Sequence, residues 1–458
     1  MSRLMVGVSG VRGEVPETLT PEIAGQFGRT FATMLGAGKR NVPPGTIALG
    51  RDTRDSGPMI RDAVIGGLTA GGVNVVDLGV VSTPGVALMI KRLAADGGIV
   101  ITASHNPLPY NGIKFMTPDG LGLPIERADE LKRIWQSGRF AAAKRPGAVS
   151  QNHDTHELHV AAVCGIVDAP AIAARRFKVV LDSINGAGCV AGKLLLGRLG
   201  CELVHVNGQP DGRFAHTPEP TAANLVSLTG QVRQASADVG FAQDPDADRL
   251  AIVDEAGTYI GEEYTVTLTA AFVLRHRKGS IAANLSTTRM MDDVAERAGV
   301  KLIRTPVGEA NVVAGMLANG CIFGGEGGGG AIDPRVVAVR DSFVGMALML
   351  NYMAETGKTV GELVDDLPRY TMVKEKFPCP LETAAEILRT VRDAYAGRAG
   401  AKINTEDGVR VDLPAGWTHV RASNTEPIMR ITTEAQSPVA ARDLTAEVRK
   451  IAEGILSR

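Results

Sequence analysis

The feature that most constrains the fold of this chain is the alternation of short apolar runs with segments of helix-forming residues. Runs of strand length occur at Thr46–Gly50, Val73–Leu78, Gly98–Ile101, Lys178–Asp182, Ala237–Phe241, Leu250–Asp254 and Ser280–Leu285. Between them lie Met59–Thr69, Gly192–Leu199 and Arg289–Ala298, with apolar residues three or four apart. Strands alternating with helices predict α/β layers. At 458 residues the chain has room for three or four domains. Polar, Ala-rich residues over Ser137–His153 read as one boundary, with others near Gly257–Glu263 and Asp365–Lys376. The last segment differs in kind: a helix (Ala384–Tyr395), strand-like pieces (Gly408–Asp412, His419–Ala422, Met429–Glu434) and a final helix (Val439–Ile455) predict a small α+β domain. The expected domains are 1–150, 151–257, 258–368 and 369–458.

Composition excludes several function classes. A net charge of −1 gives no electrostatic reason to expect nucleic acid or an anionic membrane as a partner. Aromatic residues, at 4%, are too scarce for base-stacking platforms. The five cysteines (Cys164, Cys189, Cys201, Cys321, Cys379) are scattered and never spaced C-x-x-C, which fits reduced thiols better than a disulfide framework or a zinc site. No stretch of about 18 apolar residues is present, and Met1–Gly13 has no signal-peptide pattern. A soluble, cytoplasmic protein is expected.

Four short stretches carry chemistry. Thr102-Ala103-Ser104-His105-Asn106-Pro107 follows the apolar run 97–101, which places a hydroxyl at the end of a sheet, where α/β enzymes put reactive groups. Pro107, Pro109 and an expected turn at Asn111-Gly112 hold the segment in a loop. Alone, the hexapeptide reads equally as an ordinary Ser/Asn/Pro turn. The second stretch is Asp244-Pro245-Asp246-Ala247-Asp248-Arg249, between two strand patterns. Three alternating carboxylates can converge on one hard divalent cation, Mg²⁺ on this reading; the alternative is a solvated acidic turn. A calcium EF-hand fails, because its sixth position is Arg249 instead of Gly and Leu250–Asp254 continues as a strand. The third is Gly324-Gly325-Glu326-Gly327-Gly328-Gly329-Gly330, whose apolar flanks argue for close approach of a ligand to the backbone over a flexible linker. Glu326 there can accept hydrogen bonds from vicinal sugar hydroxyls. The fourth is Arg421-Ala422-Ser423-Asn424-Thr425-Glu426-Pro427 with Arg430, a set of guanidinium, hydroxyl and backbone N–H groups suited to a phosphate; an Arg paired with Glu426 on a surface turn is the alternative. Arg12 and Lys114 can add positive charge near Ser104. His153, His156 and His159 resemble a metal tract on a linker helix but have no carboxylate set beside them in sequence.

A nucleophilic hydroxyl, a divalent-metal loop, a polyol-binding carboxylate and a separate phosphate clamp, in this order, resemble the α-D-phosphohexomutase superfamily over nearly the whole chain. The resemblance implies three related α/β domains with mixed sheets and a smaller C-terminal α+β domain around a central cleft. It implies that Ser104 carries a phosphoryl group and, with Asp244, Asp246 and Asp248, holds Mg²⁺. Arg12, Lys114 and Arg249 would flank the transferring phosphoryl. Glu326, with the backbone at Gly328, would read the sugar, and Arg421, Ser423, Asn424, Thr425 and Arg430 would grip the other phosphate. His105 stands as a general base or as a loop-ordering imidazole, and the resemblance favours Lys114 as the proton acceptor. The implied partners are small sugar phosphates, with the chain a monomer or homodimer.

Two departures bear on the sugar. Gly328 and Gly330 stand where many family members carry Ser and His. Ser423-Asn424-Thr425-Glu426-Pro427 stands where phosphoglucosamine mutases commonly read Ser-Gly-Thr-Glu-Pro, and Asn tolerates the left-handed conformation Gly takes easily. Together the two loops look like an archaeal-type branch often assigned to phosphoglucosamine mutases, with glucosamine phosphate as the expected sugar and mannose or glucose phosphate as the alternative. A sugar-phosphate phosphatase would use the same serine and admit water; the second phosphate clamp argues against it.

Overall fold

The computed structural model describes residues 4–36, 45–423 and 427–457. The chain divides into two compact units, residues 1–273 with 328–364 and residues 274–327 with 365–458.

The first unit opens with β1 (Met5–Gly7), β2 (Gly10–Glu14), α1 (Pro21–Met34), β3 (Thr46–Arg51), α2 (Gly57–Ala70), β4 (Asn74–Val80), α3 (Thr83–Arg92), β5 (Gly97–Ile101), β6 (Tyr110–Met116), α4 (Ile125–Ser137) and β7 (Val149–Gln151). These strands form one mixed sheet in the order β1-β2-β6-β5-β3-β4-β7. Its centre is parallel, and β6, β2 and β1 are added in turn beyond β5, each antiparallel to the strand before it. Every residue of β5 is buried, as an apolar strand covered on both faces requires. Phe27, Phe31, Leu49, Ile99 and Phe115 share the core. Asn111-Gly112 is not the turn its dipeptide predicts: both residues lie inside β6, opposite Gly13 and Arg12 of β2. Glycine is needed there because a methyl group on Gly112 would sit 2.6 Å from the Val11 carbonyl oxygen and 2.7 Å from that of Thr102.

The chain continues through α5 (Thr155–Cys164), α6 (Ala169–Arg175), β8 (Lys178–Asp182), α7 (Gly188–Arg198), β9 (Glu202–Val206), α8 (Val226–Ala235), β10 (Val239–Gln243) and β11 (Leu250–Val253). The second sheet runs β11-β10-β8-β9, parallel except for β11. The acidic loop is therefore the connection of an antiparallel pair whose strands are buried at every position. Next come α9 (Glu262–His276), β12 (Ile281–Asn284), α10 (Met290–Ala298), β13 (Leu302–Thr305), α11 (Glu309–Asn319), β14 (Phe323–Glu326), β15 (Gly330–Ile332), α12 (Ser342–Thr356) and α13 (Val360–Asp365). Helix α12 belongs to the first unit, where it packs on α5 and α6 with Ser342–Met353 buried throughout.

In the second unit, β12 pairs in parallel with β13 and β14. The C-terminal segment contains β16 (Thr371–Pro378), α14 (Leu381–Ala396), β17 (Lys402–Asn404), β18 (Val409–Leu413), β19 (Gly416–Ala422), β20 (Ile428–Ala435) and α15 (Pro438–Leu456). Its sheet is antiparallel in the order β16-β20-β19-β18-β17, with α14 and α15 packed on it around Ile387, Val391, Val420, Ile431 and Val448. Strand β16 occupies ground read from sequence as a boundary. It is an edge strand with Lys374, Glu375 and Lys376 exposed, so its composition resembles a linker. Three α/β domains and a smaller C-terminal α+β domain make up the chain. Among the described residues, no single helix is long and apolar enough to cross a membrane. All five cysteines are free thiols.

Candidate functional site

Ser104 sits one turn beyond β5 with φ of +50°, in the left-handed region that an L-residue adopts only under constraint. The constraint is a buried network. Thr102 Oγ1 accepts from the Ser104 N–H at 2.8 Å and donates to Asp52 Oδ2 at 2.7 Å. Arg54 Nη2 donates to the carbonyls of Ser104 and Asn106, each at 2.6 Å, and Nη1 to that of Tyr110 at 2.8 Å. Arg54 Nε closes on Asp52 Oδ2 at 3.1 Å, and neither side chain is exposed. Sequence reasoning did not single out Asp52 and Arg54, whose partners Thr102, Ser104 and Asn106 lie about 50 residues away in the chain. The available signal was their place at the end of β3, beside the end of β5.

The Ser104 hydroxyl donates to Asp244 Oδ2 at 2.6 Å. Asp244 Oδ1 accepts from the N–H groups of Asp248 and Arg249, both at 3.1 Å. Asp246 Oδ2 accepts from Thr83 Oγ1 and Lys114 Nζ, each at 2.6 Å, and Asp248 Oδ2 from Arg340 Nη2 at 2.8 Å and Lys114 Nζ at 3.3 Å. The remaining oxygens, Asp246 Oδ1 and Asp248 Oδ1, are buried without a hydrogen-bond partner. One ligand oxygen from each of Asp244, Asp246 and Asp248 lies within 4.8 Å of the others. Two buried carboxylates with one oxygen fixed and one bare, beside a third whose Oδ2 faces the Ser104 hydroxyl, form an all-oxygen set that fits Mg²⁺.

Two cations complement this. Arg12, on β2, donates Nη1 to Asn106 Oδ1 at 2.8 Å, and its Nε is buried without a partner. Arg249 Nε is also buried without a hydrogen-bond partner, 4.0 Å from Asp248 Oδ1. Unmet N–H donors beside a hydroxyl are suited to anionic phosphoryl oxygens.

The ionisation states follow from packing. Burial pushes Asp244 up, and Asp248 and Asp246 push it further. Burial works against the Asp246 charge too, but Lys114 and the hydrogen bonds from Lys114 and Thr83 outweigh it and hold this carboxyl below the usual range. Burial opposes the Lys114 ammonium, yet Asp246 and Asp248 keep its pKa raised. His105 Nδ1 lies 3.4 Å from Ser104 Oγ, at the limit of a hydrogen bond. Burial, then Arg249, Arg12 and Arg340, depress its pKa to about 2, which makes His105 a neutral and weak base.

Glu326, Arg421, Ser423 and Arg430 lie in the second unit. Glu326 ends β14, and its Oε1 accepts from Asn284 Nδ2 at 2.8 Å and from the Gly308 N–H at 3.1 Å. The neighbouring Val307 N–H donates to Asp407 Oδ2 at 2.9 Å, and Asp407 pairs with Arg421 Nε at 3.2 Å. Arg421 and Arg430 face each other across β19 and β20, and the Ser423 N–H donates to the Ile428 carbonyl at 2.9 Å. Glu326 and Arg421 are thus joined through 307–308 and Asp407, which sequence reasoning missed because the three segments are far apart in the chain. Asn424 and Thr425 lie outside the described residues. Gly328 adjoins the acidic loop: a methyl group built on it would be 3.4 Å from Arg249 Nη1.

The histidine tract does not assemble. His156 and His159 lie on α5 and His153 precedes it; the buried His159 Nε2 pairs with Asp341 Oδ2 at 2.7 Å. Among the described residues the Asp triad is the one cluster able to hold a metal.

Residues 3–142, 157–257 and 261–370 match the phosphoglucomutase/phosphomannomutase alpha/beta/alpha domains I, II and III, and 373–451 match the C-terminal domain of that family. A phosphoglucomutase/phosphomannomutase of Thermococcus kodakarensis is 40% identical over 442 residues, covering 96% of each chain. A protein of Methanopyrus kandleri described as a probable phosphoglucosamine mutase is 38% identical over 448 residues, with the same coverage. The crystal structure of a phosphoglucomutase/phosphomannomutase family protein from Burkholderia thailandensis superposes with a TM-score of 0.87 at 27% identity, covering 98% of this chain and 97% of the other. Fold and relatives define an isomerase-class phosphotransferase acting on sugar phosphates. The chain belongs to the phosphoglucomutase/phosphomannomutase family of α-D-phosphohexomutases.

Proposed function

We propose that this phosphohexomutase interconverts hexose 6-phosphate and 1-phosphate through a phosphorylated Ser104 and a bisphosphorylated sugar, with glucosamine phosphate as the sugar. The observation that carries the reading is the pairing of opposite unmet needs around one hydroxyl. Asp246 Oδ1 and Asp248 Oδ1 are bare buried acceptors, and Arg12 Nε and Arg249 Nε are bare buried donors. A phosphoryl group on Ser104 together with a divalent cation meets both.

Mg²⁺ bound by Asp244, Asp246, Asp248 and the phosphoserine would supply electrophilic neutralisation of the phosphoryl oxygens. The chain's own residues do the positioning. Arg12 and Arg249 hold the equatorial oxygens while a sugar hydroxyl attacks phosphorus in line. The Ser104 Oγ–P bond breaks and a sugar O–P bond forms. Lys114, held as an ammonium by Asp246 and Asp248, gives a proton to the departing Ser104 Oγ and takes up the one that the attacking sugar hydroxyl releases, so the proton count is unchanged. The freed hydroxyl then donates to Asp244, the arrangement of the present structure. After the bisphosphate reverses, the same steps run backward on the other phosphate. Arg421 and Arg430 grip whichever phosphate is not in transfer, and Glu326 accepts from the sugar, where a 2-ammonium group offers a stronger, charge-assisted donor than a hydroxyl.

The Thermococcus relative supports a second reading, with glucose and mannose phosphates as substrates. One experiment separates them: kcat/KM for the 1-phosphates of glucosamine, glucose and mannose on a single phosphorylated preparation. Glucosamine is expected to lead. A preference of more than about tenfold for a neutral sugar, roughly 1.4 kcal/mol, overturns the assignment. Ser104→Ala should abolish turnover while leaving sugar-phosphate binding intact; a turning-over variant refutes the phosphoserine route.

A further inference from the structure

Gly330 of the glycine-rich loop has a physical counterpart in Arg340. A methyl group on Gly330 would lie 2.2 Å from Arg340 Cδ and 2.6 Å from its Cγ, so the arginine stem crosses directly over the bare Cα. Beyond that crossing the guanidinium donates Nη2 to Asp248 Oδ2 at 2.8 Å, with Arg340 only 14% exposed. Its charge reaches Arg12, His105 and Lys114, which surround Ser104. Arg340 directly precedes Asp341, the N-cap of α12, whose Oδ1 accepts from the N–H groups of Phe343 and Val344. The next residue, Ser342, donates Oγ to the Ala247 carbonyl at 2.7 Å and accepts from Gln243 Nε2 at 2.7 Å. The Ser342 N–H also donates to the Ala247 carbonyl, at 3.4 Å, so backbone and side chain at the start of α12 both grip the acidic loop.

We propose that Arg340 is a positioning residue of phosphoryl transfer, and that position 330 is glycine in order to admit it. By fixing Asp248 Oδ2, Arg340 leaves Oδ1 aimed at the cation, and it adds a positive charge to the ring around the phosphoserine. A side chain at 330 and an arginine stem from 340 exclude each other sterically, so the empty sugar loop and the supported carboxylate are two sides of one exchange. The inference rests on the metal reading above, and its test keeps the two apart.

Mn²⁺ binding to the full-length chain is measured by calorimetry for the wild type, Arg340→Ala, Arg340→Lys, Gly330→Ala and the double variant Gly330→Ala/Arg340→Ala. Arg340→Ala should weaken the Mn²⁺ Kd by about 10- to 100-fold, the range for groups that orient a metal ligand. Gly330→Ala should do the same to within about threefold by displacing the stem, and the double variant should be no worse than either single one, since both remove one contact. Arg340→Lys should recover part of the affinity, because it restores a charge without the planar fork. In turnover, kcat should fall with KM for sugar phosphate nearly unchanged. Wild-type Mn²⁺ affinity in Arg340→Ala, or losses that add in the double variant, overturns the proposal alone. A wild-type chain that binds no Mn²⁺ overturns the metal reading and this assignment with it.

Discussion

Arg54→Met tests the idea that a buried guanidinium, and no property of Ser104 itself, holds the serine loop in place. Three of its donations go to loop carbonyls, those of Ser104, Asn106 and Tyr110, at 2.6, 2.6 and 2.8 Å. At about 1.5 kcal/mol for each bond from a charged donor, they stabilise the loop by roughly 4 to 5 kcal/mol. Holding Ser104 at positive φ costs about 1 to 2 kcal/mol, so the restraint wins by a clear margin. Methionine fills most of the volume and supplies none of the donors. It also strands Asp52, which is fully buried; breaking such a pair costs about 3 to 5 kcal/mol. The expected result is a loss of about 4 kcal/mol in urea unfolding, faster amide exchange confined to 102–112, and a fall in kcat/KM of about 100-fold from displacement of Ser104 by about 1 Å. The pH dependence has a defined sign. Burial raises the Asp52 pKa and Arg54 is the largest opposing influence, so without Arg54 the carboxyl favours its protonated form in the fold. The deficit of the variant should therefore shrink as pH falls toward the ordinary carboxylate range. Arg54→Lys should recover only part, because an ammonium cannot bridge three carbonyls. An Arg54→Met protein within threefold of the wild type in kcat/KM, with an unchanged urea midpoint, refutes the reasoning.

Three further outcomes follow from the geometry. His419 donates Nε2–H to the Asp407 carbonyl at 2.6 Å and accepts from Ser286 Oγ at 2.8 Å, and burial lowers its pKa to about 4 against an unfolded value near 6.5. Its contribution to stability is complete above pH 6.5 and is lost as pH falls through 4, a difference of about 3 kcal/mol that should be absent in His419→Gln when the two acid-unfolding curves are compared. Gly112→Ala puts a methyl group against two backbone carbonyls and should destabilise by about 2 to 3 kcal/mol in thermal unfolding; a neutral result would mean β2 and β6 are less tightly apposed than described. Thr83→Val removes the 2.6 Å hydroxyl donor from Asp246 and should weaken Mn²⁺ binding about tenfold, with unchanged calorimetric affinity counting against the fixed-oxygen account.

The legibility of this chain tracks how local each signal is. Strands β8 and β11 and helix α10 fall almost where the apolar periodicity puts them, because each is a continuous stretch whose burial depends on its own residues. The serine and acidic loops are equally plain, since the chemistry sits on adjacent positions. Asn111-Gly112 misleads because its turn preference is a local average, whereas the glycine serves an approach by Val11 and Thr102, about 100 and 10 residues away in sequence. Arg54, Arg340, Asn284 and Asp407 escape notice for the same reason. Each is an ordinary polar residue whose importance lies in a partner that only the fold brings near. The edge strand β16 is hidden differently, as its outward charges mask a strand behind a linker-like composition.

The grip of α12 on the acidic loop has an evolutionary and engineering consequence. The loop lies in the segment matching domain II and α12 in the segment matching domain III, so the contacts that hold the acidic loop cross the boundary between the two matched segments. A chimera joined between residues 257 and 261 would inherit its aspartates from one parent and the residues at 340 and 342 behind them from the other. Moving the crossover past Thr356 keeps Gly330, Arg340 and Ser342 with the carboxylates they support. Swapped-domain mutases should accordingly retain metal affinity when the exchange is made after α12 and lose it when a parent differing at 330 and 340 is joined before α9.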